Sequence, residues 1–258
     1  MNIIITAGGT RERIDAVRAI TNDATGRLGS LVADEFSRRL ASQEHTIYYL
    51  CGISSILPSE KDSSVQVIRI EGTSQLQSEM KRLLSSVQID AVIHSMAVSD
   101  YQVSAVTTVE SVTENIMKAL KQHLPPPDEL KRLISQALTE KTVLTGGKIS
   151  SDLEHPVLFL EKTPKTIEMI KKISPKTVLV GFKLLSGSSE ENLIQTAHRL
   201  LIKNQCDFVL ANDTDSIEKS VHTGYLIDES RNIIKYTGKD RIAAGIAENV
   251  LKISEATK

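Results

Sequence analysis

The chain has 258 residues, 40% hydrophobic and 24% charged, with a formal net charge of −1. That length suits one large α/β domain or two small ones, and the composition is ordinary for a soluble globular protein. The near-zero charge excludes a global basic field for nucleic acid, so any anion site must be local. Without Trp and with 3% aromatics, a base-stacking platform for single strands is not expected. No apolar run is long enough to span a bilayer, so no membrane partner is expected. No C-x-x-C or H-E-x-x-H spacing marks a metal. Cys51 and Cys206 lie in the apolar runs YYLCG and NQCDFV and read as buried, reduced thiols. With no basic n-region or cleavable apolar segment at the start, a cytoplasmic location is expected.

In chain order, the apolar run Ile3-Ile4-Ile5 stops at Thr6-Ala7-Gly8-Gly9-Thr10. An irregular loop with Arg11, Glu12, Asp15, Arg18 and Asn22 follows. It leads through Thr25-Gly26-Arg27-Leu28-Gly29 into an amphipathic helix carrying Leu28, Leu31, Val32, Phe36 and Leu40. Further strands are predicted over 46–50, 66–70, 91–95, 177–182 and 207–211, several of them continuous apolar runs typical of strands covered on both faces. A helix carrying Leu76, Met80, Leu83, Leu84 and Val87 separates the third strand from the fourth. Helices are also predicted over 191–203 and 240–252, and from Thr163-Pro164-Lys165 into 167–170. Residues 224–228 and 232–236 flank Glu229-Ser230-Arg231 as a β-hairpin.

The alternation predicts a Rossmann-like three-layer α/β fold with a mostly parallel sheet and an antiparallel C-terminal hairpin. The segment 102–147 breaks the rhythm. Its helical pieces, 114–123 and 128–140, are split by Pro125-Pro126-Pro127. We expect a single domain over 1–258, with 102–147 inserted as a functional or interface element.

Ligands of open α/β sheets bind beyond the carboxyl ends of the strands. Gly8, Gly9 and Thr10 end the first strand, Met96–Tyr101 the fourth, Gly181-Phe182-Lys183 the fifth and Asn212-Asp213 the sixth. A strand, glycines and a helix N-terminus make a place for phosphate, although Gly8 and Gly9 also suit a plain turn. Asn22 reads as a helix cap or a ligand contact, and Asp100 as a turn residue or a ligand contact. Lys148 after Gly146-Gly147 reads as a solvated lysine or a phosphate partner. His94 reads as a core-edge histidine and Lys171-Lys172 as a solvated face. The glycines do not form G-x-G-x-x-G, and Leu50-Cys51-Gly52 lacks the acidic residue for a ribose. There is no Walker A loop or nucleophile elbow. The residues by themselves reach a Rossmann-like protein for a phosphorylated or nucleotide ligand.

Several motifs together extend this. The run GGTRERIDAVRAITNDATGRLG resembles the start of phosphopantothenoylcysteine synthetases, in which GGT-x-E-x-(I/L)-D-x-V-R precedes an Asn and a glycine-containing stretch. Gly8, Gly9, Thr10, Glu12, Asp15, Val17, Arg18, Asn22, Gly26 and Gly29 match, while Ala24-Thr25-Gly26 replaces the usual Ser-Ser-Gly. AVSDY at 97–101, KIS at 148–150, KTPKTI at 162–167, VGFK at 180–183 and LANDT at 210–214 resemble later blocks, in order. Two departures stand out. The Glu of a G-F-x-x-E block is missing after Phe182, and 102–147 is longer than in bifunctional bacterial relatives. Nothing corresponds to the flavoprotein decarboxylase of those forms, so a stand-alone synthetase is expected.

The resemblance implies a ligase of coenzyme A biosynthesis joining 4′-phosphopantothenate to L-cysteine. The carboxylate attacks the α-phosphate of CTP, or of ATP, giving an acyl-nucleotide and pyrophosphate. Cysteine then displaces the nucleotide monophosphate. Mg²⁺ accompanies the triphosphate, with no metal ligands identified. Asn22 is implied in handling the acyl-nucleotide, Lys148 in binding the triphosphate and Asp100 at the base or ribose. Phe182 is implied against the base and Lys203 as a further nucleotide contact. Gly8, Gly9, Thr10, Ala97, Val98, Thr163, Pro164, Lys165 and Thr166 would line the pocket. A homodimer is implied, with 102–147 as its active-site and dimer flap. A nicotinamide-dependent oxidoreductase and a silent nucleotide-binding regulator are the competing readings.

Overall fold

Ile3, Ile4 and Ile5 are completely buried because the strand that carries them is covered on both faces. Ile3 and Ile5 enter one hydrophobic cluster and Ile4 the other, as the two-residue period of a strand dictates. The structure is a computed structural model describing residues 1–59, 63–120, 125–139, 147–215 and 222–256. Residues 121–123 and 140 of the expected helices, Gly146, and 257–258 of the tail lie outside the described residues.

In chain order the strands are β1 (Asn2–Ala7), β2 (Arg11–Arg13), β3 (Ala19–Thr21), β4 (Thr46–Gly52), β5 (Val65–Ile70), β6 (Ala91–His94), β7 (Tyr101–Thr108), β8 (Pro156–Lys162), β9 (Val178–Leu185), β10 (Phe208–Asp213), β11 (Thr223–Asp228) and β12 (Ile233–Thr237). The helices are α1 (Arg27–Leu40), α2 (Thr73–Ser86), α3 (Val109–Ala119), α4 (Pro127–Thr139), α5 (Ile167–Ile173), α6 (Glu190–Asn204) and α7 (Lys239–Ala256). They form two compact units, one of 1–11, 21–98 and 165–258, the other of 12–20 and 99–164. The second unit extends beyond the 102–147 excursion expected from sequence.

The first unit is built on an eight-stranded sheet in the order β12-β11-β10-β9-β6-β1-β4-β5. The pairings from β5 through β10 are parallel, and β11 and β12 add antiparallel. The expected Rossmann-like architecture and its C-terminal hairpin are therefore present. From α1 and α7, Val32, Phe36, Ile246 and Val250 join the cluster on one face of the sheet. Leu76, Met80, Ile170 and Leu193 from α2, α5 and α6 join the other. From β1 the chain moves outward to β4 and β5, then returns to β6 on the other side of β1. That reversal opens a crevice beyond the carboxyl ends of β1 and β6.

In the second unit β7 and β8 form an antiparallel pair with an irregularity between Val103 and Ala105. The expected helical insertion thus opens with a strand. Its β-branched residues, Val103, Val106, Thr107 and Thr108, favour a pleated strand, but a partner lying more than fifty positions away, such as Leu160 opposite Val103, leaves no local signal. Thr108 ends β7 and caps α3 by accepting from Ser111 N at 3.2 Å. The expected irregular loop after β1 contains the short pair β2 and β3.

Candidate functional site

At the carboxyl rim of the first unit, β1 ends by turning through Gly8, whose φ of +79° suits glycine. Ala97, past the end of β6, is the junction of this rim. Its N–H donates to Gly8 O at 2.8 Å, and its carbonyl accepts from Thr10 N at 3.1 Å. The same carbonyl accepts from Asn22 Nδ2 at 3.0 Å, and Asn22 N donates to Thr10 O at 3.4 Å. Three separate stretches are thus tied at one residue. A Cβ on Gly9 would lie 2.3 Å from Asn22 O, so this approach of backbones requires glycine.

Below the rim, Met96 N donates to the Thr6 hydroxyl at 3.1 Å, and that hydroxyl lies 2.9 Å from His94 Nδ1. Burial lowers the His94 pKa to about 4, which keeps the ring neutral near pH 7. His94 is therefore the core-edge histidine expected. The helix after the turn begins with Gly26 at φ +75° and no side-chain cap, so Asn22 does not cap α1. Ser30 N is the first to bond within the helix, to Gly26 O. Leu28 and Gly29 therefore have no intrahelical acceptor, and their N–H groups form part of the positive end of the helix dipole.

In the second unit Lys148 is gripped on both sides. Gly147 O accepts from Ala16 N at 2.9 Å, and Ile149 N donates to Asp15 Oδ2 at 3.0 Å. Asp15 Oδ1 also accepts from Val17 N and Arg18 N, at 2.8 and 2.6 Å. Desolvation pushes the Asp15 pKa upward, but the N–H groups of Val17, Ile149 and Arg18 and the Arg18 charge outweigh it. The net effect holds the carboxyl below its ordinary value. Lys148 itself is exposed. Asp15 and Arg18 were not among the expected site residues, although their places in the opening motif were the available signal. Thr163 donates from its hydroxyl to Ser99 O at 2.5 Å and from its N–H to Asp100 O at 3.0 Å.

Gly8, Gly9, Thr10, Asn22 and Ala97 meet within the first unit, with Val98 next in chain. Asp100, Lys148, Thr163 and Pro164 belong to the second. Phe182 is half-buried and packs against the first unit's core. Lys165 is exposed, while Thr166 is buried with a hydroxyl lacking a hydrogen-bond partner. Lys203 lies in the last turn of α6, just before β10 begins, and pairs with Glu168 at 2.7 Å. Its helix end leads into the amino end of β10, while its ammonium reaches the first turn of α5, which begins just after Thr166. Both cysteines are buried, and burial raises both thiol pKa values, that of Cys206 to about 12.

Comparison with known proteins gives a match to the DNA/pantothenate metabolism flavoprotein C-terminal domain over residues 1–146 and 139–253. The chain is 30% identical over 211 residues to a coenzyme A biosynthesis bifunctional protein CoaBC of Thermococcus kodakarensis, covering 81% of this chain and 40% of that protein. A solved DNA/pantothenate metabolism flavoprotein from Streptococcus pneumoniae is 32% identical, with a TM-score of 0.78 over 98% of this chain and 99% of that one. A Cab2 variant in complex with phosphopantothenate-cysteine shares the fold, with a TM-score of 0.65 at 14% identity over 99% of this chain and 86% of that one. The chain spans about half the length of the curated relatives it matches.

Proposed function

We propose, for a chain that belongs to the family of the DNA/pantothenate metabolism flavoprotein C-terminal domain, that it is a phosphopantothenate–cysteine ligase. The observation that carries the reading is the junction at Ala97, where the β1 turn, the β6 loop and the Asn22 amide are tied by hydrogen bonds. An amide donor fixed at a rim of backbone N–H groups suits a phosphoryl or carbonyl oxygen, and it does not titrate while charge moves.

In this reading the turn at Gly8 and the first turn of α1 cradle phosphate, and Asn22 orients the acyl-nucleotide. Lys148, presented by Ala16 and Asp15, neutralises the triphosphate. A flexible ammonium suits an anion whose shape changes during transfer. Asp100 and Phe182 serve the nucleoside. Lys203, paired with Glu168 in the first turn of α5, is a further nucleotide contact in this reading. Among the described residues no group of three or more His, Cys, Asp or Glu lies together to hold a metal. In this reading Mg²⁺ arrives with the nucleotide, as part of the metal–nucleotide substrate. CTP is the preferred nucleotide, with ATP the alternative. A cytoplasmic location suits this chemistry, and among the described residues no helix is long and apolar enough to cross a membrane.

A homodimer belongs to the same proposal. On β8, Leu158 and Leu160 are 38% and 48% exposed, and their spacing puts them on one face of the strand. A second copy would cover that face, with 102–147 as the flap. Sedimentation tests it, and a fully active monomer would end it. The ligase itself is tested by pyrophosphate release with each of four nucleoside triphosphates. Release must require phosphopantothenate, and product must require cysteine. An oxidoreductase would instead quench NADH or NADPH fluorescence on binding. No specific observation favours that reading.

A further inference from the structure

Ser55, in the loop after β4, occupies the point where three glycines converge. A Cβ on Gly8 would fall 1.7 Å from its Oγ, one on Gly26 3.2 Å from its Cβ, and one on Gly52 3.0 Å from its Oγ. Gly8 belongs to the β1 turn, Gly26 starts α1 and Gly52 ends β4, so one small side chain fills the space between all three. It is 7% exposed, and its hydroxyl donates to Ala7 O at 3.3 Å. Its neighbour Ile56 donates from N to Thr25 O at 3.0 Å, and Tyr49 OH donates to Ile56 O at 2.9 Å. The loop is therefore fastened both to the strand below and to the residues leading into α1.

Arg69 on β5 secures the other side. A single nitrogen, Nη1, donates to Gly52 O at 2.9 Å and Ser55 O at 3.2 Å, and lies 3.4 Å from Cys51 Sγ. A guanidinium holds such a planar arrangement with little further loss of side-chain freedom. An anion cradle made of backbone N–H groups works only if its two halves keep their spacing before the ligand arrives. Here no side chain caps α1, so the spacing between the β1 turn and the first turn of α1 depends on what fills the gap.

We propose that Ser55, anchored by Arg69, is a positioning residue that sets the spacing of the phosphate cradle between Gly8 and Gly26. This rests on the ligase reading. In this role both act through the backbone of the cradle, Ser55 by filling it and Arg69 by holding the Ser55 loop. Ser55→Gly empties the junction, and Ser55→Ala keeps the Cβ but removes the hydroxyl. Arg69→Met acts from an exposed position, and the protein is expected to stay folded.

The test measures steady-state ligase kinetics with CTP, and thermal unfolding, on the full chain. Ser55→Gly is expected to raise KM for CTP by about tenfold while kcat changes little, as for the loss of a single well-placed contact. Ser55→Ala should recover part of that loss. Arg69→Met should raise KM in the same direction, and the double variant should be no worse than Ser55→Gly, because both act on one device. A merely structural role would lower the melting temperature and the active fraction but leave KM alone. Unchanged KM in an active Arg69→Met, or strictly additive effects, would overturn the positioning role and leave the ligase standing. A wild-type chain with no phosphopantothenate-dependent pyrophosphate release would overturn both.

Discussion

Asn22 Nδ2 donates to Ala97 O at 3.0 Å, joining residues 75 positions apart at the rim of two adjacent parallel strands. The same carbonyl takes the Thr10 N–H, so both of its acceptor directions are used. The amide of Asn22 is held by the fold before any ligand arrives, which makes it a preorganised donor rather than a mobile one.

Replacing that donor is the most direct test. Asn22→Asp puts a carboxylate oxygen opposite the Ala97 carbonyl and removes the N–H. The fold should survive, while turnover stalls after nucleotide transfer, falling on the order of a hundredfold as when a transition-state donor is lost. Pyrophosphate should appear in a burst without matching phosphopantothenoylcysteine. Product formation at the wild-type rate would contradict the role given to Asn22.

Lys148→Gln keeps most of the length of the side chain and discards its charge. The first half-reaction should slow by on the order of a hundredfold or more, with circular dichroism unchanged because the side chain is exposed. Normal pyrophosphate release would remove Lys148 from the mechanism.

Asp15→Asn should act through Lys148. The carboxylate accepts from three backbone N–H groups, one of them Ile149 N, and an amide cannot accept them all. Pyrophosphate release should fall by about tenfold, as for one lost charge-assisted contact. The folded pKa is lowered, so this hold is present above the ordinary carboxylate range. It is lost only as pH falls through the lowered folded value. The acid limb of an unfolding curve should flatten in Asp15→Asn, and an unaltered limb would contradict the assignment.

His94 gives a pH dependence of the opposite origin. Its folded pKa is about 4, below the ordinary imidazole value, so the unfolded chain binds a proton that the folded chain refuses. Stability should decline as pH falls from about 6.5 to about 4, then level off for this group, by up to about 3 kcal/mol. In His94→Gln, urea midpoints across that range should lose this slope. Retention of the full slope would show that another group causes it.

Gly9→Ala tests the close approach itself. The new Cβ would meet a backbone oxygen, that of Asn22, at 2.3 Å, so no rotamer change relieves it. A loss of about 1–3 kcal/mol is expected, in the range of an overpacked site, measured by chemical denaturation. A neutral substitution would mean that the turn and the Asn22 segment are not packed in this way.

The parallel strands and their flanking helices were legible in the sequence because their signals are local. Ile3-Ile4-Ile5 is apolar throughout since both faces are covered, and Leu76, Met80 and Leu83 repeat at helical spacing since one face is. The opening glycines and Asn22 were legible as candidates for the same reason, as residue types in a short ordered motif. The pairing of Tyr101–Thr108 with Pro156–Lys162 was not legible. Strand pairing is a long-range choice, and each strand taken singly resembles its surroundings. Nor could spacing along the chain show that Asp15 would hold the segment bearing Lys148 more than 130 positions away, or that Lys203 would pair with Glu168. A sequence determines which groups are available and which elements they ride on. Only the folded chain, by bringing distant backbones within hydrogen-bond range, decides which of them share a carbonyl.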